Sequence, residues 1–175
     1  MASAEDEFAE YAEAASAGLL STAFLLCGNW HAAEDLTQTT LAKVFAAWRR
    51  IRHQEAVHAY ARRTLLNTYL ADRRKNRHGE VLTGDPAVFD EPAVEPYSPE
   101  LKITLIDALA TLPPKARAVV VLRYWEDMSV EQVAGLLGCS TGNVKSQSAR
   151  ALDKLRVLLD GALPGMTPGN QGDKP

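Results

Sequence analysis

Two helices joined by a tight turn are predicted by the stretch SVEQVAGLLGCSTGNVKSQSARALDKL, residues 129–155. Ser129, followed by Gln132 three residues later, forms a capping box that opens the first helix. Gly138 is a typical helix-stopping residue, and Ser140 is placed to cap the second helix. Two helices separated by such a short turn are typical of the helix-turn-helix unit.

Several polar side chains lie in the first ten residues of the second helix. They belong to Thr141, Asn143, Lys145, Ser146, Gln147 and Arg150. In a helix-turn-helix unit this end of the second helix enters the major groove and faces the base edges. An ordinary helical hairpin is the alternative, but it does not require short hydrogen-bonding side chains at one helix start. The sequence therefore predicts a module that reads duplex DNA.

The rest of the chain also predicts helices, because apolar residues recur at intervals of three and four and no run alternates with a period of two. The fold class is therefore all-α. Before the acidic segment, apolar stripes are formed by Phe8, Tyr11, Ala15, Leu19, Ala23 and Leu26, by Leu41, Val44, Phe45 and Trp48, and by Ala61, Leu65 and Tyr69. They predict a small three- or four-helix bundle, with Gly28 and Asn29 as a turn.

In the second half of the chain, three further apolar stripes are predicted to be buried. They comprise Leu101, Leu105, Ala108 and Leu109; Ala118, Val119, Leu122 and Trp125 on a helix over 114–125; and Leu152, Leu155 and Leu158. Ser98, just before a proline, is the predicted N-cap of the first of these helices.

Length and composition favour two small modules. The chain has 175 residues, of which 46% are hydrophobic, enough for compact cores but not for a large multidomain enzyme. The segment 83–99 carries four prolines and four acids without an apolar period, which predicts a linker. We therefore predict modules over 1–78 and 98–160, a linker over 79–97 and a disordered tail over 161–175.

Charge is distributed in blocks that the net charge of −3 conceals. Residues 51–78 hold seven Lys or Arg against two acids, whereas residues 79–100 hold six acids and no Lys or Arg. A local basic stripe attracts polyanions even on a mildly acidic molecule. The alternative interpretation of the basic block is an ordinary solvent-exposed helix face.

Several classes of protein are disfavoured by the sequence. Cys27 and Cys139 lie far apart in the sequence with no metal-ligand spacing, so we expect no metal and no cofactor. No basic, apolar leader precedes the first helix, so we expect a cytoplasmic protein without membrane attachment. No nucleophile arrangement or phosphate loop is present, and we expect no catalytic residue.

The motifs of both halves resemble those of the extracytoplasmic-function group of bacterial RNA polymerase sigma factors, and most closely its actinobacterial sigma-E-like subfamily. Region 4 of that group resembles LPPKARAVVVLRY (112–124), MSVEQVA (128–134) and NVKSQSARALDKLR (143–156). Region 2 resembles HAAEDLTQ (31–38) and AYARRTLLN (59–67), followed by the arginine-rich run. The matches occur in the family's order, with an acidic linker between them.

The resemblance implies a polymerase-binding surface on the first module. Glu34, Asp35, Leu36, Gln38 and Leu41 are implied to dock on the coiled coil of the polymerase largest subunit, and the polymerase flap is a second implied contact. The plainer interpretation of Glu34 and Asp35 is that they are acids favoured in the first turn of a helix.

The resemblance also implies two promoter-binding surfaces. The loop over 51–58 is implied to capture an unstacked base of the minus-10 element, and the implied contacts are Arg52, His53, Gln54, Tyr60, Arg63, Asn67, Arg73 and Arg74. The family's tryptophan near Tyr60 is absent here, and its aspartate position is Ala71, with Asp72 one residue later. The implied minus-35 contacts are Thr141, Asn143, Lys145, Ser146, Ala149 and Arg150.

Some assignments remain open at this point. His53 and His58 are either base contacts or solvent-facing loop residues, Lys145 and Arg150 donate either to guanine or to phosphate, and Arg123 and Lys154 face either phosphate or solvent. An anti-sigma factor is a further possible partner. The alternative function is a one-component helix-turn-helix regulator whose first module binds a ligand or forms a dimer.

Overall fold

The computed structural model of the chain describes residues 3–51, 54–76 and 99–162. Every regular element within these ranges is helical, which confirms the all-α prediction. The helices are α1 (Ala4–Cys27), α2 (Trp30–Ala47), α3 (Gln54–Asn76), α4 (Pro99–Ala110), α5 (Pro114–Val120), α6 (Val130–Leu137) and α7 (Thr141–Ala162). A 3-10 turn, Trp48–Arg50, follows α2, and a π-helical turn, Val121–Trp125, continues α5.

The predicted linker over 79–97 and the predicted N-cap Ser98 lie outside the described residues. Helix α7 includes the first two residues of the predicted tail, and residues 163–175 also lie outside the described ranges.

Helices α1, α2 and α3 form the predicted bundle. Gly28 ends α1 with a φ of 72°, a left-handed conformation that suits glycine, and its N–H donates to the Phe24 carbonyl at 2.7 Å. Asn29 then caps α2 by accepting from the Ala32 N–H at 3.0 Å. Inside the bundle Val44 and Leu66 are almost fully buried, as the apolar stripes predict.

Helix α3 begins earlier than the sequence predicts. Positions 54–58 of the expected loop over 51–58 are helical, since α3 begins at Gln54. The stretch QEAVHA, residues 54–59, contains no glycine or proline and begins with good helix formers, so nothing in it favours a loop. The interpretation of this whole segment as a loop is therefore wrong.

The helix-turn-helix prediction is confirmed in its local geometry. Gln132 N donates to Ser129 Oγ at 3.1 Å and Ser129 N donates to Gln132 Oε1 at 2.8 Å, which is the reciprocal capping box. Gly138 ends α6 with a φ of 63°, and Asn143 N donates to Ser140 Oγ at 3.1 Å at the start of α7. The turn thereby fixes where the second helix begins.

Four residues of the predicted apolar stripes are exposed instead, and the first, Phe45, is 48% exposed, with its ring centroid 4.8 Å from that of Phe8. Trp125 is 57% exposed. The hydrogen bond from Glu126 N to the Val121 carbonyl spans five residues and marks a π-helical turn, which is wider than an α-helical one. The turn therefore rotates Trp125 away from the side of the helix that carries the apolar stripe. Leu105 is 38% exposed while its neighbour Ile106 is buried. Leu158 is 38% exposed because steps of four residues along α7 lead to Leu159, which packs on the core.

The first and second modules share one apolar cluster. Leu26, Leu65 and Leu66 of the bundle belong to the same buried set as Val119 and Leu122. Helices α4 and α5 and the π-helical turn contact α1, and α5 also contacts α3. The two modules are therefore packed together in this structure.

Replacing Ser129 with alanine is expected to destabilise the second module by about 1 kcal/mol, because the cap of α6 is lost. We expect the melting temperature, followed by circular dichroism, to fall by about 2–4 °C. Ser21→Ala is the control, since Ser21 lies within α1 and donates only to the Ala17 carbonyl. Equal melting temperatures for the two variants would contradict the capping role.

Candidate nucleic-acid and polymerase interfaces

The start of α7 presents a polar surface to solvent. Thr141, Asn143, Lys145, Ala149 and Arg150 are exposed, and Ser146 is half-buried. The opposite face of the same helix carries Val144, Ala151 and Leu155, all of which are buried. The structure thus brings the six residues predicted for minus-35 reading onto one helix whose other side is anchored in the core.

Two side-chain hydrogen bonds join α7 to the rest of the second module, and a third fixes the turn before α6. Tyr124 Oη and Ser148 Oγ lie 3.0 Å apart in a hydrogen bond, and Lys154 Nζ donates to the Thr111 carbonyl at 2.8 Å. Arg123 donates to the Met128 carbonyl. The sequence left open whether Arg123 and Lys154 contact phosphate or solvent. In the structure both side chains donate to backbone carbonyls of their own module.

A hydrogen bond to its own backbone N–H lowers the pKa of Glu131 at the start of α6. The Ser129 hydroxyl adds to this effect, and the charges of Lys145 and Arg123 contribute less. The charged form of the carboxylate is therefore favoured beside Lys145 of α7.

An open groove of about 330 Å³ lies between α2 and α3. Its lining residues are Lys43, Tyr60, Thr64, Asn67, Thr68, Ala71, Asp72 and Lys75. Lys43 Nζ reaches across from α2 and donates to Thr68 Oγ1 at 2.8 Å. Tyr60 and Asn67, two of the residues predicted for the minus-10 element, are therefore in one concave polar site.

The other residues predicted for the minus-10 element lie elsewhere. Arg63 and Arg74 are exposed on α3. Arg73 is half-buried, donates a hydrogen bond to the Cys27 carbonyl at 3.3 Å and lies over the Tyr69 ring. Gln54 is the first residue of α3, and Arg52 and His53 lie outside the described residues. His58 is exposed on α3, with its ring centroid 5.2 Å from that of Tyr11.

The residues predicted to bind polymerase divide into two groups. Glu34, Asp35 and Gln38 are exposed on α2 and form an acidic surface. Leu36 is buried and Leu41 is partly buried against the bundle core. The structure therefore leaves the polar members available to a partner and places Leu36 in the interior.

The groove residues Lys43, Thr64, Thr68 and Lys75 were not predicted from the sequence. On α3 the polar groove positions 60, 64, 68, 72 and 75 recur at intervals of three to four, so a search for polar as well as apolar stripes would have found that side of the groove. Lys43 comes from a different helix, and no local pattern connects it to this site.

The described part of the chain offers neither a metal-binding cluster nor a membrane-spanning helix. It contains no group of three or more His, Cys, Asp or Glu side chains that could hold a metal ion. Among residues 3–51, 54–76 and 99–162, no helix combines the length and apolar character that crossing a membrane requires.

An anchored helix with an exposed polar start, an acidic helix surface and a polar groove are features typical of a DNA-binding transcription factor. Residues 13–79 match the protein family described as Sigma-70 region 2, and residues 102–155 match Sigma-70, region 4. The chain belongs to the sigma-70 family of RNA polymerase sigma factors. It is an alternative sigma factor of the extracytoplasmic-function group, which binds core RNA polymerase and directs promoter-specific transcription initiation.

Individual relatives agree with this assignment. The chain is 40% identical to the RNA polymerase sigma-E factor of Streptomyces coelicolor, over 87% of this chain and 86% of the relative. It is 34% identical to the ECF RNA polymerase sigma factor SigE of Mycolicibacterium smegmatis, over 78% of this chain and 55% of that protein. Among solved structures, the sigma factor RpoE of Bartonella quintana, in complex with the anti-sigma factor NepR, matches with a TM-score of 0.67 at 26% identity, covering 88% and 97% of the two chains.

Proposed function

We propose that three surfaces of this chain divide the work of initiation between two modules, residues 1–78 and 98–160. The start of α7 reads the minus-35 duplex, the groove between α2 and α3 receives the separated minus-10 strand, and the acidic surface of α2 docks on polymerase. The single observation that carries this proposal is the start of α7, where the polar reading positions are exposed and the opposite face is buried.

The minus-35 assignment is supported by the chemistry of the α7 side chains. Lys145 and Arg150 supply donors for guanine or for phosphate, and Thr141, Asn143 and Ser146 supply shorter hydrogen-bonding groups. Ala149 leaves room for close approach and an apolar contact. An anchored helix positions these groups before DNA arrives, which lowers the ordering cost of binding.

The minus-10 assignment is supported by the groove. Tyr60 offers a ring on which a base stacks, Asn67 offers an amide for a base edge, and Lys43 and Lys75 offer charges for phosphate. Arg63 and Arg74 extend the cationic surface along α3. Gln54 is the first residue of α3, and we infer that it completes the capture site together with Arg52 and His53, which directly precede it in the sequence.

The polymerase assignment is supported by charge. Glu34, Asp35 and Gln38 are exposed together on α2, with Leu36 and Leu41 packing the helix from beneath. We infer that this surface meets the coiled coil of the largest subunit and that the second module meets the flap. Charged surfaces of this kind steer association and fix its register.

We propose no catalytic role, metal or cofactor for this chain, because its surfaces suit binding and its family acts in initiation. We propose a cytoplasmic location, because polymerase and promoter DNA are its proposed partners. An anti-sigma factor is a further proposed partner, supported by the complex in which the Bartonella quintana relative was solved.

The groove gives a prediction of its own. Replacing Tyr60 and Asn67 together by alanine is expected to reduce open-complex formation by roughly 10–100-fold, because stacking and the amide contact are both lost. A template with a pre-melted minus-10 region should not rescue the variant, since the separated strand itself is the ligand. Arg156→Ala, a change of an exposed residue on α7, is the control. Full rescue by the pre-melted template would contradict strand capture.

The division of labour as a whole is tested by reconstituted transcription with purified bacterial core polymerase. Co-elution with polymerase and new promoter-dependent transcripts are the expected results. A folded protein that failed both with active core polymerase would instead favour a stand-alone helix-turn-helix regulator, whose expected behaviour is unaided duplex binding as a dimer.

A further inference from the structure

Asn143 and Gln147, one turn apart on α7, are joined through their side-chain amides. Gln147 Nε2 donates a hydrogen bond to Asn143 Oδ1. Residues four positions apart lie on the same side of a helix, so the two side chains meet without leaving the α7 surface. Asn143 is exposed, whereas Gln147 is half-buried. The inner amide therefore holds the outer one.

The backbone of Asn143 is fixed as well. Its N–H donates to Ser140 Oγ at 3.1 Å, the cap at which α7 begins. The next residue, Val144, is fully buried in the core. Both the backbone and the side-chain oxygen of Asn143 therefore have partners within the protein before DNA is bound, which lowers the ordering cost of a contact.

The surface beside this amide pair is open. A Cβ at Gly142 would meet nothing closer than Ser140 Oγ at 3.9 Å. Ser146 and Ala149 follow Gly142 at intervals of four and three, so small residues form one strip along the exposed side of α7. Such a strip lets a base edge come close to the helix, within reach of the longer Asn143 side chain at its border.

The hydrogen bond from Gln147 leaves a defined set of groups on Asn143. An amide oxygen has two lone pairs and an amide nitrogen has two hydrogens. Gln147 uses one lone pair, so the Asn143 amide still offers one acceptor with donors beside it. The bond also determines which end of the amide is the oxygen, because a rotation of 180° would place two donor nitrogens against each other.

Only one base carries the complementary pair of groups in the major groove. Adenine presents the donor N6 next to the acceptor N7, whereas guanine presents two acceptors. Thymine and cytosine each present a single hydrogen-bonding group there. An acceptor and a donor side by side on one amide therefore match adenine, and no other base engages both.

We propose that Asn143 binds an adenine of the minus-35 element and that Gln147 is the positioning residue that orients it. Asn143 Oδ1 accepts from adenine N6, and Asn143 Nδ2 donates to N7. This inference rests on the proposed function, in which α7 enters the major groove, and deepens it by naming a base. Both side chains are neutral, so the contact sets sequence preference and leaves the salt dependence of DNA binding unchanged.

The test is a binding selection with the polymerase holoenzyme. Core polymerase loaded with this protein is mixed with DNA that is random over the minus-35 region and carries one fixed, pre-melted minus-10 region, and the bound DNA is sequenced. We expect one position of the selected motif to favour adenine by about 5–100-fold. Asn143→Ala should remove this preference and leave the other positions unchanged, with a thermal melt confirming that the variant is folded.

Asn143→Asp is expected to change the selected base. Its carboxylate still accepts from Gln147 Nε2 and also accepts from the N4 amino group of cytosine, but it has no donor for N7. The preference at the same position should therefore move from adenine to cytosine.

Gln147→Met keeps the side-chain length and removes the donor. It should reduce the adenine preference roughly fivefold. Combined with Asn143→Ala it should cause no further loss at that position, because Gln147 acts through Asn143. A merely structural role would lower the melting temperature without changing the preference for one base. Arg156→Ala, exposed on the same helix, is the control and should select the original motif.

The outcomes separate this inference from the minus-35 assignment itself. The adenine contact is overturned if folded Asn143→Ala selects the original motif, loses affinity equally for all sequences or loses a preference for another base. A full adenine preference in Gln147→Met would overturn the positioning role. If the unaltered holoenzyme binds the library but enriches no base in the minus-35 region, the proposed minus-35 function fails and this inference fails with it.

Discussion

Replacing Lys145 and Arg150 together by alanine is expected to reduce transcription from minus-35-dependent promoters by roughly 100-fold or more. Each of these side chains donates to a base edge or a phosphate, and a good base contact contributes about 1–3 kcal/mol. Both residues are exposed on α7, so their loss should leave the fold intact. The measurement is run-off transcription with reconstituted polymerase, accompanied by a thermal melt of the free protein.

A matched control removes two other cations from the same module. Lys115 and Arg156 are exposed but lie outside the proposed reading surface, so their double alanine variant should retain transcription. Polymerase co-elution should be unchanged in both proteins. The single variants Lys145→Ala and Arg150→Ala distinguish base contacts from phosphate contacts. Loss of a phosphate contact weakens binding to all DNA sequences and reduces the salt dependence of DNA binding. Normal transcription by a folded Lys145→Ala, Arg150→Ala protein would refute the minus-35 assignment.

Reversing the charge of Glu34 and Asp35 by lysine substitution is expected to weaken polymerase binding by at least about tenfold and to suppress all promoter-dependent transcription. The two side chains are exposed on α2, and the helix is anchored from beneath by Leu36. Binding is measured by titrating labelled protein into core polymerase at two salt concentrations, because an electrostatic contact weakens as salt rises.

Glu10→Lys with Glu13→Lys provides the same change of net charge on α1, where both side chains are also exposed. That control should bind polymerase normally. Equal losses in the two proteins would show that net charge alone is responsible, and no loss in either would remove α2 from the polymerase interface.

The local features of this fold were predictable because each depends on a few neighbouring residues. The reciprocal bonds between Ser129 and Gln132, the left-handed Gly138 and the cap at Ser140 all follow from side chains within three positions of one another. The apolar period likewise identified most of the core. The same signals placed the exposed start of α7, so the minus-35 surface was the most predictable part of the candidate site.

What the sequence did not reveal depends on contacts between distant segments. No local pattern distinguishes a π-helical turn from ordinary α-helix, and the resulting shift of phase exposes Trp125. Arg117 was interpreted only as part of a family motif, although its partner Leu26 lies 91 positions away. Lys43 contributes to the groove through Thr68 on another helix. Such pairings require the tertiary structure.

The spacing of the module contacts along the chain has a consequence for folding. The turn between α6 and α7 is closed by contacts within five residues, whereas the Glu126 contact with Thr22 joins positions 104 apart. Local contacts form quickly, and contacts that close long loops form late because their entropic cost comes first. The helix-turn-helix hairpin should therefore be among the earliest structures to protect its amides from exchange. The junction of the two modules should be the last to gain that protection during folding and the first to lose it in the native ensemble.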